Sequence, residues 1–378
     1  MRKKLFTALV LGLMVVPFMV GMATAETLKI GSMSPLTGPY ASDGTDIKNG
    51  VQTAIEVFEE AGGIPGFDKI ELFAQDTACD PKQAVAAANK LINLGVVGVI
   101  GAYCSSSTIP SSEVLAEEDI PMLTPASTNE QVTERGLEYM FRLCGRDDDQ
   151  APAAAKFLKE QLGAKTIFIV DDKTTYSQGL ADGVSKAAKE MGMEVVEHDH
   201  VNQGDKDFAA VLTKVKAANP DVLYMSLQGF SPAAMMTLQA KRLGLESQIV
   251  TQDAVFQPKY MDVAKEAAEG VYLTYGFTDT STPEYKAFEE RYVPKYGPIA
   301  AYATYAYDAA TVLLNAIKAA GSTDPAKIKA EIMKMDFDGV AKRIKFNEKG
   351  DSGSAYIAYK VVDGKFVPFW HPEKGLLN

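Results

Sequence analysis

Histidine is scarce in this chain, with three residues in 378, which leaves little capacity for general-base catalysis. No G-x-S-x-G, H-E-x-x-H, phosphate-binding loop or G-x-G-x-x-G motif stands in a suitable context. Basic residues are also few, 38 Lys and Arg against 49 Asp and Glu, giving a formal net charge of -11. Such a chain has no electrostatic footprint for nucleic acid or an anionic membrane. We therefore expect neither an enzyme nor a nucleic-acid-binding protein, and no cofactor.

Cysteine is rare as well, and no C-x-x-C motif or Cys/His cluster with metal-ligand spacing occurs. The three cysteines, Cys79, Cys104 and Cys144, allow at most one disulfide within the chain. Cys79 and Cys104 each follow a predicted strand, in loops expected at the same sheet edge. We predict that these two pair and that Cys144 is a buried thiol.

A pair of histidines, His198 and His200, lies in the run Glu-His-Asp-His. Two histidines spaced i, i+2 on a strand can both bind a metal ion, but a site needs at least a third ligand. Since no third partner is nearby in sequence, the pattern predicts no metal site.

The N-terminus has the features of a secretory signal peptide. Arg2, Lys3 and Lys4 precede an apolar run from Leu5 to Gly21, and Ala23-Thr-Ala25 is a small-x-small cleavage pattern. A membrane-spanning helix needs about 20 apolar residues, and this run is shorter and contains Pro17. We expect residues 1–25 to be removed after Ala25 and the remaining protein to be soluble in the periplasm.

Strand and helix patterns alternate along the rest of the chain. One β-α series runs from residue 28 to about 125 and a second from 150 to 251, separated by the polar run Gly145–Asp149. The last third adds a strand, three helices and a hairpin turned by Asp363-Gly364. This predicts an α/β fold with two doubly wound parallel-sheet lobes joined by a hinge of several chain crossings. The predicted lobes are residues 26–146 plus 275–354 and residues 147–274 plus 355–378.

Ligands of parallel α/β sheets bind beyond the carboxyl ends of the strands, and three loops there carry suitable polar groups. Ser105 precedes a helix start, where amides and the helix dipole favour an anion. Ala126 and Thr128 follow the next strand and offer carbonyl and hydroxyl groups. Asp253 would give a buried ammonium its counter-charge. In the alternative reading, Ser105 and Thr128 are ordinary helix caps and Asp253 is a solvated acid.

Three segments, residues 76–85, 99–108 and 123–128, closely resemble the leucine/isoleucine/valine-binding proteins of ABC transporters, and the similarity runs along nearly the whole mature chain. The resemblance implies the type I periplasmic-binding fold and a disulfide between Cys79 and Cys104. It further implies that Ser105 holds the ligand carboxylate and that Thr128 contacts both the carboxylate and the ammonium. Ala126 offers its carbonyl to the ammonium, and Asp253 pairs with it. Tyr176 matches an aromatic residue that closes from the second lobe.

Several positions depart from the family pattern. Asp43 lies where some leucine binders have an aromatic residue, and Tyr103 where an aliphatic one can occur. Either Gly229 or Phe230 faces the ligand, and Tyr302 compensates for a missing aromatic at position 300. A carboxyl group at Asp43 disfavours a purely apolar pocket unless it is hydrogen-bonded, which leaves room for a polar or larger ligand side chain. Alternatively, Asp43 caps the helix beginning near Gly44.

The expected function is that of a periplasmic solute-binding component of an ABC importer, which captures a branched-chain or other neutral L-amino acid by hinge closure. Its expected partner is a membrane permease, and we expect a monomer. The alternative is a ligand-sensing subunit of the same fold, or a binder of another small amino or aromatic carboxylate.

Overall fold

The computed structural model describes residues 26–377, which form two large β-sheets and one two-stranded ribbon. The predicted signal peptide, residues 1–25, lies outside the described residues. Within residues 26–377, no helix combines the length and apolar character needed to cross a bilayer.

The first sheet has five parallel strands in the order β2-β1-β3-β4-β5. Every residue of β3, β4 and β5 is buried, as expected for a parallel sheet covered on both faces. In chain order, its strands are β1 Thr27–Ser34, β2 Lys69–Asp76, β3 Val99–Gly101, β4 Met122–Thr124 and β5 Met140–Arg142.

Helices cover this sheet at the positions the sequence indicates. The second helix spans the predicted residues because its ends are well defined. The Asp80 side chain accepts from the Gln83 amide at 2.8 Å, Pro81 occupies the first turn and Gly95 ends the helix with a left-handed φ of 71°. The first four helices are α1 Ala41–Glu60, α2 Pro81–Leu94, α3 Ser105–Ala116 and α4 Gln131–Glu134.

The second sheet has eight strands, and it is mixed rather than purely parallel. Its order is β15-β14-β13-β10-β9-β8-β6-β7, and the last three strands of the chain add an antiparallel edge to five parallel strands. Asp363 and Gly364 both have positive φ, as their hairpin turn requires. The strands are β6 Thr166–Asp171, β7 Glu194–His200, β8 Val222–Ser226, β9 Gln248–Thr251, β10 Tyr272–Gly276, β13 Tyr356–Val362, β14 Lys365–His371 and β15 Gly375–Leu376. Between β10 and β13, β11 Asp336–Asp338 and β12 Arg343–Lys345 form a separate small ribbon.

The remaining helices divide between the two sheets. The first five, up to residue 264, pack with the second sheet, whereas the last three return to the first sheet, where α11 lies against α1. These helices are α5 Asp147–Glu160, α6 Thr175–Glu190, α7 Ala209–Ala218, α8 Phe230–Arg242, α9 Lys259–Ala264, α10 Pro283–Tyr296, α11 Ala303–Ala320 and α12 Pro325–Ile332.

We call the first sheet with α1–α4 and α10–α12 the first lobe, and the second sheet with α5–α9 the second lobe. The chain passes between them near residues 143–146, 277–282 and 346–355. The exact lobe boundaries given by the sequence stay a prediction.

The sequence patterns missed α4 and β5, which are short. They also assigned all of residues 145–149 to the crossover between lobes. In the structure α5 begins at Asp147, and three successive aspartates form its first turn, where the helix dipole favours negative charge.

Candidate ligand site

The carboxyl-end loops of the two sheets form two small adjoining cavities of about 10 Å³ each, which share Tyr302. Five predicted residues, Tyr103, Ser105, Ala126, Tyr176 and Tyr302, line one cavity together with Gln228 and Ala254. Thr128 and Asp253 line the other with Cys144, Tyr275, Tyr305 and Tyr356. Asp43 and Phe230 line neither cavity. The structure therefore brings together most of the predicted site residues.

Ser105 stands at the N-terminus of α3 and is almost fully buried. The carbonyl of Cys104 accepts from the amides of Ser107 and Thr108 at 2.9 and 3.0 Å, which starts the helix. A disulfide joins Cys104 to Cys79, with the Cα atoms 5.5 Å apart. The predicted pairing is confirmed, and the bridge ties the start of α3 to the loop after β2. As predicted, Cys144 is a buried thiol outside this bridge.

A buried arginine orients the loop that carries Ala126 and Thr128. The Arg142 side chain is 0% exposed and donates from Nη1 to the carbonyls of Thr128 and Asn129 at 2.9 and 2.7 Å. Its Nε pairs with Asp351 Oδ1 at 2.7 Å. Because Arg142 occupies the carbonyls on one side of this loop, the loop presents its other groups to the cavity. The sequence analysis missed both members of this ion pair.

Several polar atoms of the site are buried and have no hydrogen-bond partner among residues 26–377. They include Thr128 Oγ1, the Tyr103 hydroxyl and both carboxyl oxygens of Asp147. Native proteins rarely leave such groups unsatisfied. Their concentration beside the cavities indicates where a polar ligand would supply the missing partners. Asp147 was not predicted from the sequence, because its acidic run looked like a solvated connection.

Asp253 is the central charged group of the site. It is 2% exposed and accepts hydrogen bonds from the Tyr176 hydroxyl at 2.6 Å and from the Tyr302 hydroxyl. Burial raises the pKa of Asp253, and the two tyrosine hydroxyls act in the opposite direction. The tyrosines come from different lobes, Tyr176 from α6 and Tyr302 from the residue before α11. Asp253 is therefore a buried acid at the junction of the lobes.

Asp147 contrasts with Asp253 because no tyrosine hydroxyl supports it. Burial, followed by the nearby charge of Asp253, raises the pKa of Asp147 well above its ordinary value. Two acids in one desolvated site do not both ionise readily. Asp253, which accepts from two tyrosine hydroxyls, is therefore favoured over Asp147 as the acid that ionises.

Asp43 is the third residue of α1, and Tyr40 occupies the cap position. The capping alternative for Asp43 is therefore wrong, because the helix begins earlier than predicted. Asp43 is 5% exposed and accepts from Gln257 Nε2 of the second lobe at 3.2 Å. Burial raises the pKa of Asp43 to about 7. This carboxyl group links the lobes and does not line the cavities.

The loop before α8 contributes differently from the prediction. Gln228 lines a cavity, while Phe230 is the first residue of α8 and packs in the main hydrophobic core. Gly229 has a φ of 84°, and a Cβ atom there would lie 2.9 Å from the Tyr40 ring of the first lobe. Gln228 was not predicted as a site residue, since no sequence pattern distinguishes it from a surface glutamine.

The two lobes are closed over the cavities. Direct hydrogen bonds cross from one lobe to the other, from Asn129 Nδ2 to the Thr175 carbonyl and from Gln203 Nε2 to the Tyr40 hydroxyl, both at 3.2 Å. Lys259 Nζ also donates to Ser42 Oγ at 2.6 Å. These contacts link the lobes directly in the closed arrangement.

The chain is similar to known proteins along most of its length. Residues 27–365 match a protein family described as periplasmic binding protein. An amino acid binding protein of Pseudomonas aeruginosa is 37% identical over 374 residues, which cover 97% of this chain and 99% of that protein. A leucine-, isoleucine-, valine-, threonine-, and alanine-binding protein of the same organism is 36% identical over 329 residues, covering 86% of this chain and 87% of that protein.

The fold agrees with solved structures. The crystal structure of a leucine binding protein, LivK, from Thermotoga maritima superposes with a TM-score of 0.83 at 33% identity, covering 90% of this chain and 97% of that one. The predicted resemblance and the type I periplasmic-binding fold are thereby confirmed. This chain belongs to the periplasmic binding protein family.

Proposed function

We propose that this protein is the solute-binding component of an ABC importer and that it captures a neutral L-amino acid, foremost a branched-chain one. The observation that carries the proposal is the buried Asp253, held by two tyrosine hydroxyls beside loops that present neutral donors. A single buried negative charge requires a cationic partner, and a zwitterion supplies one together with an anion for the neutral donors. The names of the relatives point to the same ligand class.

In this proposal the ligand carboxylate lies at the N-terminus of α3, where Ser105 Oγ and helix amides donate to it. The ammonium group donates to Asp253, to Thr128 Oγ1 and to the carbonyl of Ala126. Thr128 Oγ1 is buried and has no hydrogen-bond partner among the described residues. Ligand binding would therefore remove the free-energy cost of this unsatisfied group. The ammonium thus supplies a missing hydrogen bond and neutralises a charge, while the carboxylate meets the donors at the start of α3.

The ligand side chain would contact Tyr103, Tyr176 and Gln228, which line the same cavity. This wall is aromatic but not purely apolar, which suits small neutral side chains with or without a hydroxyl. Phe230 and Asp43 would act indirectly in this scheme, Phe230 by fixing the start of α8 and Asp43 by holding Gln257 across the cleft.

Capture would proceed by closure of the lobes about their three crossings. The closed form excludes water, which strengthens the electrostatic contacts to the ligand, and presents both outer faces to a membrane permease. The protein itself performs no chemistry. We further propose that it acts as a monomer in the periplasm after removal of residues 1–25.

The test is a thermal-shift and calorimetric screen of protein that has been unfolded, dialysed and refolded to remove any co-purified ligand. Leucine, isoleucine, valine, alanine and threonine form the main panel. A ligand at about 100 times its Kd stabilises the folded state by about 2.7 kcal/mol, so a cognate amino acid should raise the Tm clearly.

Three control compounds separate the roles of the two poles. Leucinamide lacks the carboxylate, 4-methylpentanoate lacks the ammonium, and benzoate is an aromatic carboxylate. We expect none of them to match the best amino acid. If 4-methylpentanoate or benzoate binds as tightly as leucine, the assigned role of Asp253 is wrong, and the aromatic-carboxylate alternative gains support.

A further inference from the structure

Away from the ligand cavities, two of the three histidines converge on one carboxylate. His198 Nε2 lies 2.7 Å and His200 Nδ1 2.8 Å from the same oxygen, Asp171 Oδ2. The three potential ligand atoms all lie within 4.8 Å of one another. The sequence offered no third ligand because Asp171 lies 27 residues before His198, and only the parallel pairing of β6 with β7 brings them together.

A β-bulge puts these side chains on one face of the sheet. The register runs Ile167 with Val195 and then Phe168 with Glu197, so Val196 is the extra residue. Side chains alternate between the faces of a strand, and a one-residue shift therefore exchanges the faces. Without the bulge, His198 and His200 would point away from Asp171. With it, all three share a face.

The cluster is buried at Asp171 and partly exposed at the two histidines. The Asp171 side chain is 0% exposed, and its Oδ1 accepts from the Lys173 amide at 2.7 Å, which leaves Oδ2 facing the histidines. The side chains of His198 and His200 are 18% and 35% exposed, so an ion could reach them. Asp182 Oδ1 lies 3.7 Å from His198 Nδ1. A carboxylate behind a ligating histidine is the usual means of orienting the ring.

We propose that Asp171, His198 and His200 bind a divalent transition-metal ion of the zinc type. Asp171 Oδ2, His198 Nε2 and His200 Nδ1 would be the protein ligands, with water completing the coordination. Two imidazoles and one carboxylate suit zinc and its neighbours, whereas calcium and magnesium prefer all-oxygen sites. With metal–ligand bonds of about 2.0–2.1 Å, tetrahedral ligand atoms are about 3.3 Å apart. The present contacts would need to open by only about 0.5 Å.

The experiment uses the protein without any polyhistidine tag, treated with a chelator and free of amino acids, which themselves bind zinc. Titration with zinc chloride in a calorimeter should show one saturable site per chain, and zinc should raise the Tm. Cobalt(II) in place of zinc should give the visible absorption bands of a tetrahedral ion.

Four single variants test the assignment of the ligands. We expect His198→Asn and His200→Asn each to weaken zinc binding by at least about tenfold, since even outer partners of metal ligands contribute about 10–100-fold. His371→Asn removes the remaining histidine, which lies in β14 away from the cluster, and it should bind zinc like the unaltered protein. Asp182→Asn should show a smaller loss.

A measurement on the unaltered protein guards against misfolded variants. Zinc should protect His198 and His200, but not His371, from modification by diethyl pyrocarbonate, as read by peptide mass spectrometry. Absence of saturable binding, equal protection of all three histidines, or unchanged affinity in both His198→Asn and His200→Asn would overturn the proposal.

Discussion

The two lobes build their halves of the cleft by different means. The first lobe presents neutral groups, Ser105, Ala126 and Thr128, and keeps its charges behind them in the Arg142–Asp351 ion pair. The second lobe exposes its charge directly, because Asp253 itself faces the cavity. In the first lobe, a buried ion pair outside the cavity positions neutral donors. In the second lobe, the charged Asp253 lies in the site and needs hydroxyl donors around it. The two halves should therefore respond differently to mutation.

The largest expected effect is a loss of unfolding free energy when the buried ion pair of the first lobe is broken. Asp351→Asn leaves the fully buried Arg142 guanidinium without its counter-charge, and breaking a buried ion pair costs about 3–5 kcal/mol of unfolding free energy. Urea denaturation measures this loss. Lys349→Met is the matched control on the same loop, because its pair with Glu134 is 48% and 37% exposed and should contribute less than about 1 kcal/mol. Equal losses in the two variants would remove the special role of Arg142.

The second lobe should lose binding and not stability. Asp253→Asn removes the charge that pairs with the ligand ammonium, and we expect leucine affinity to fall by about 2–5 kcal/mol. The unfolding free energy should be unchanged or higher, because the substitution relieves a buried charge. Calorimetry measures the leucine affinity, and urea denaturation measures the unfolding free energy. Asp253→Glu is the control that keeps the charge. Undiminished leucine affinity in Asp253→Asn would place the ammonium elsewhere.

A neutral donor of the first lobe should matter less. Ser105→Ala removes one hydrogen bond to a charged carboxylate, worth about 1.5–3 kcal/mol, and should reduce affinity by that amount. Ser106→Ala, at the next position and half-buried, is the control and should bind leucine normally. If both variants bind alike, the carboxylate is held by backbone amides alone.

Closure joins the two halves, and Gly229 tests it. A Cβ atom at Gly229 would press on Tyr40 across the cleft, and a left-handed conformation adds about 1–2 kcal/mol of strain. We expect Gly229→Ala to weaken leucine binding by about 1–3 kcal/mol, the usual cost of overpacking, because the added Cβ opposes closure against Tyr40. Gly244→Ala has a similar φ of 71°, but its Cβ would meet no atom of the described residues within 4 Å. Gly244→Ala should affect stability alone, and weakened binding in this control would show that strain, not contact, is responsible.

The smallest effect concerns pH. Burial raises the pKa of Asp43 to about 7, so the folded state binds a proton that the unfolded state has released. Stability from this group is complete below the unfolded pKa and is lost as the pH rises through about 7. Between about pH 6 and about pH 7, the unfolding free energy should fall by about 1 kcal/mol on this account.

Urea denaturation at the two pH values measures this change. The unfolding free energy should fall less between about pH 6 and about pH 7 in Asp43→Asn than in the unaltered protein. Burial also raises the pKa of Asp308 to about 7. Asp308 should therefore account for the pH dependence of unfolding free energy that remains in Asp43→Asn. If Asp43→Asn loses as much unfolding free energy between the two pH values as the unaltered protein, Asp43 does not titrate in this range.

Local patterns predicted the order of the elements and the loops that carry Ser105, Thr128 and Asp253. The helix Pro81–Leu94 was predictable residue by residue because its cap, proline and terminal glycine all lie within the segment. Contacts over long separations were not predictable. Arg142 and Asp351 are 209 residues apart, and nothing near either one shows that they pair. The Asp171 cluster depends on a bulge, which reverses strand faces without any mark in the sequence.

The order of the segments also has a consequence for how the protein forms. Trp370 near the C-terminus is 1% exposed in the core of the second lobe, whose first helix starts at Asp147. Ile328 and Ile332 complete the core of the first lobe, whose first strand starts at Thr27. The first lobe cannot finish its core before Ile332 has been made, and the second lobe cannot do so before Trp370 has been made. A chain interrupted before β13 would lack the partner strand of β10 and leave the second lobe incomplete.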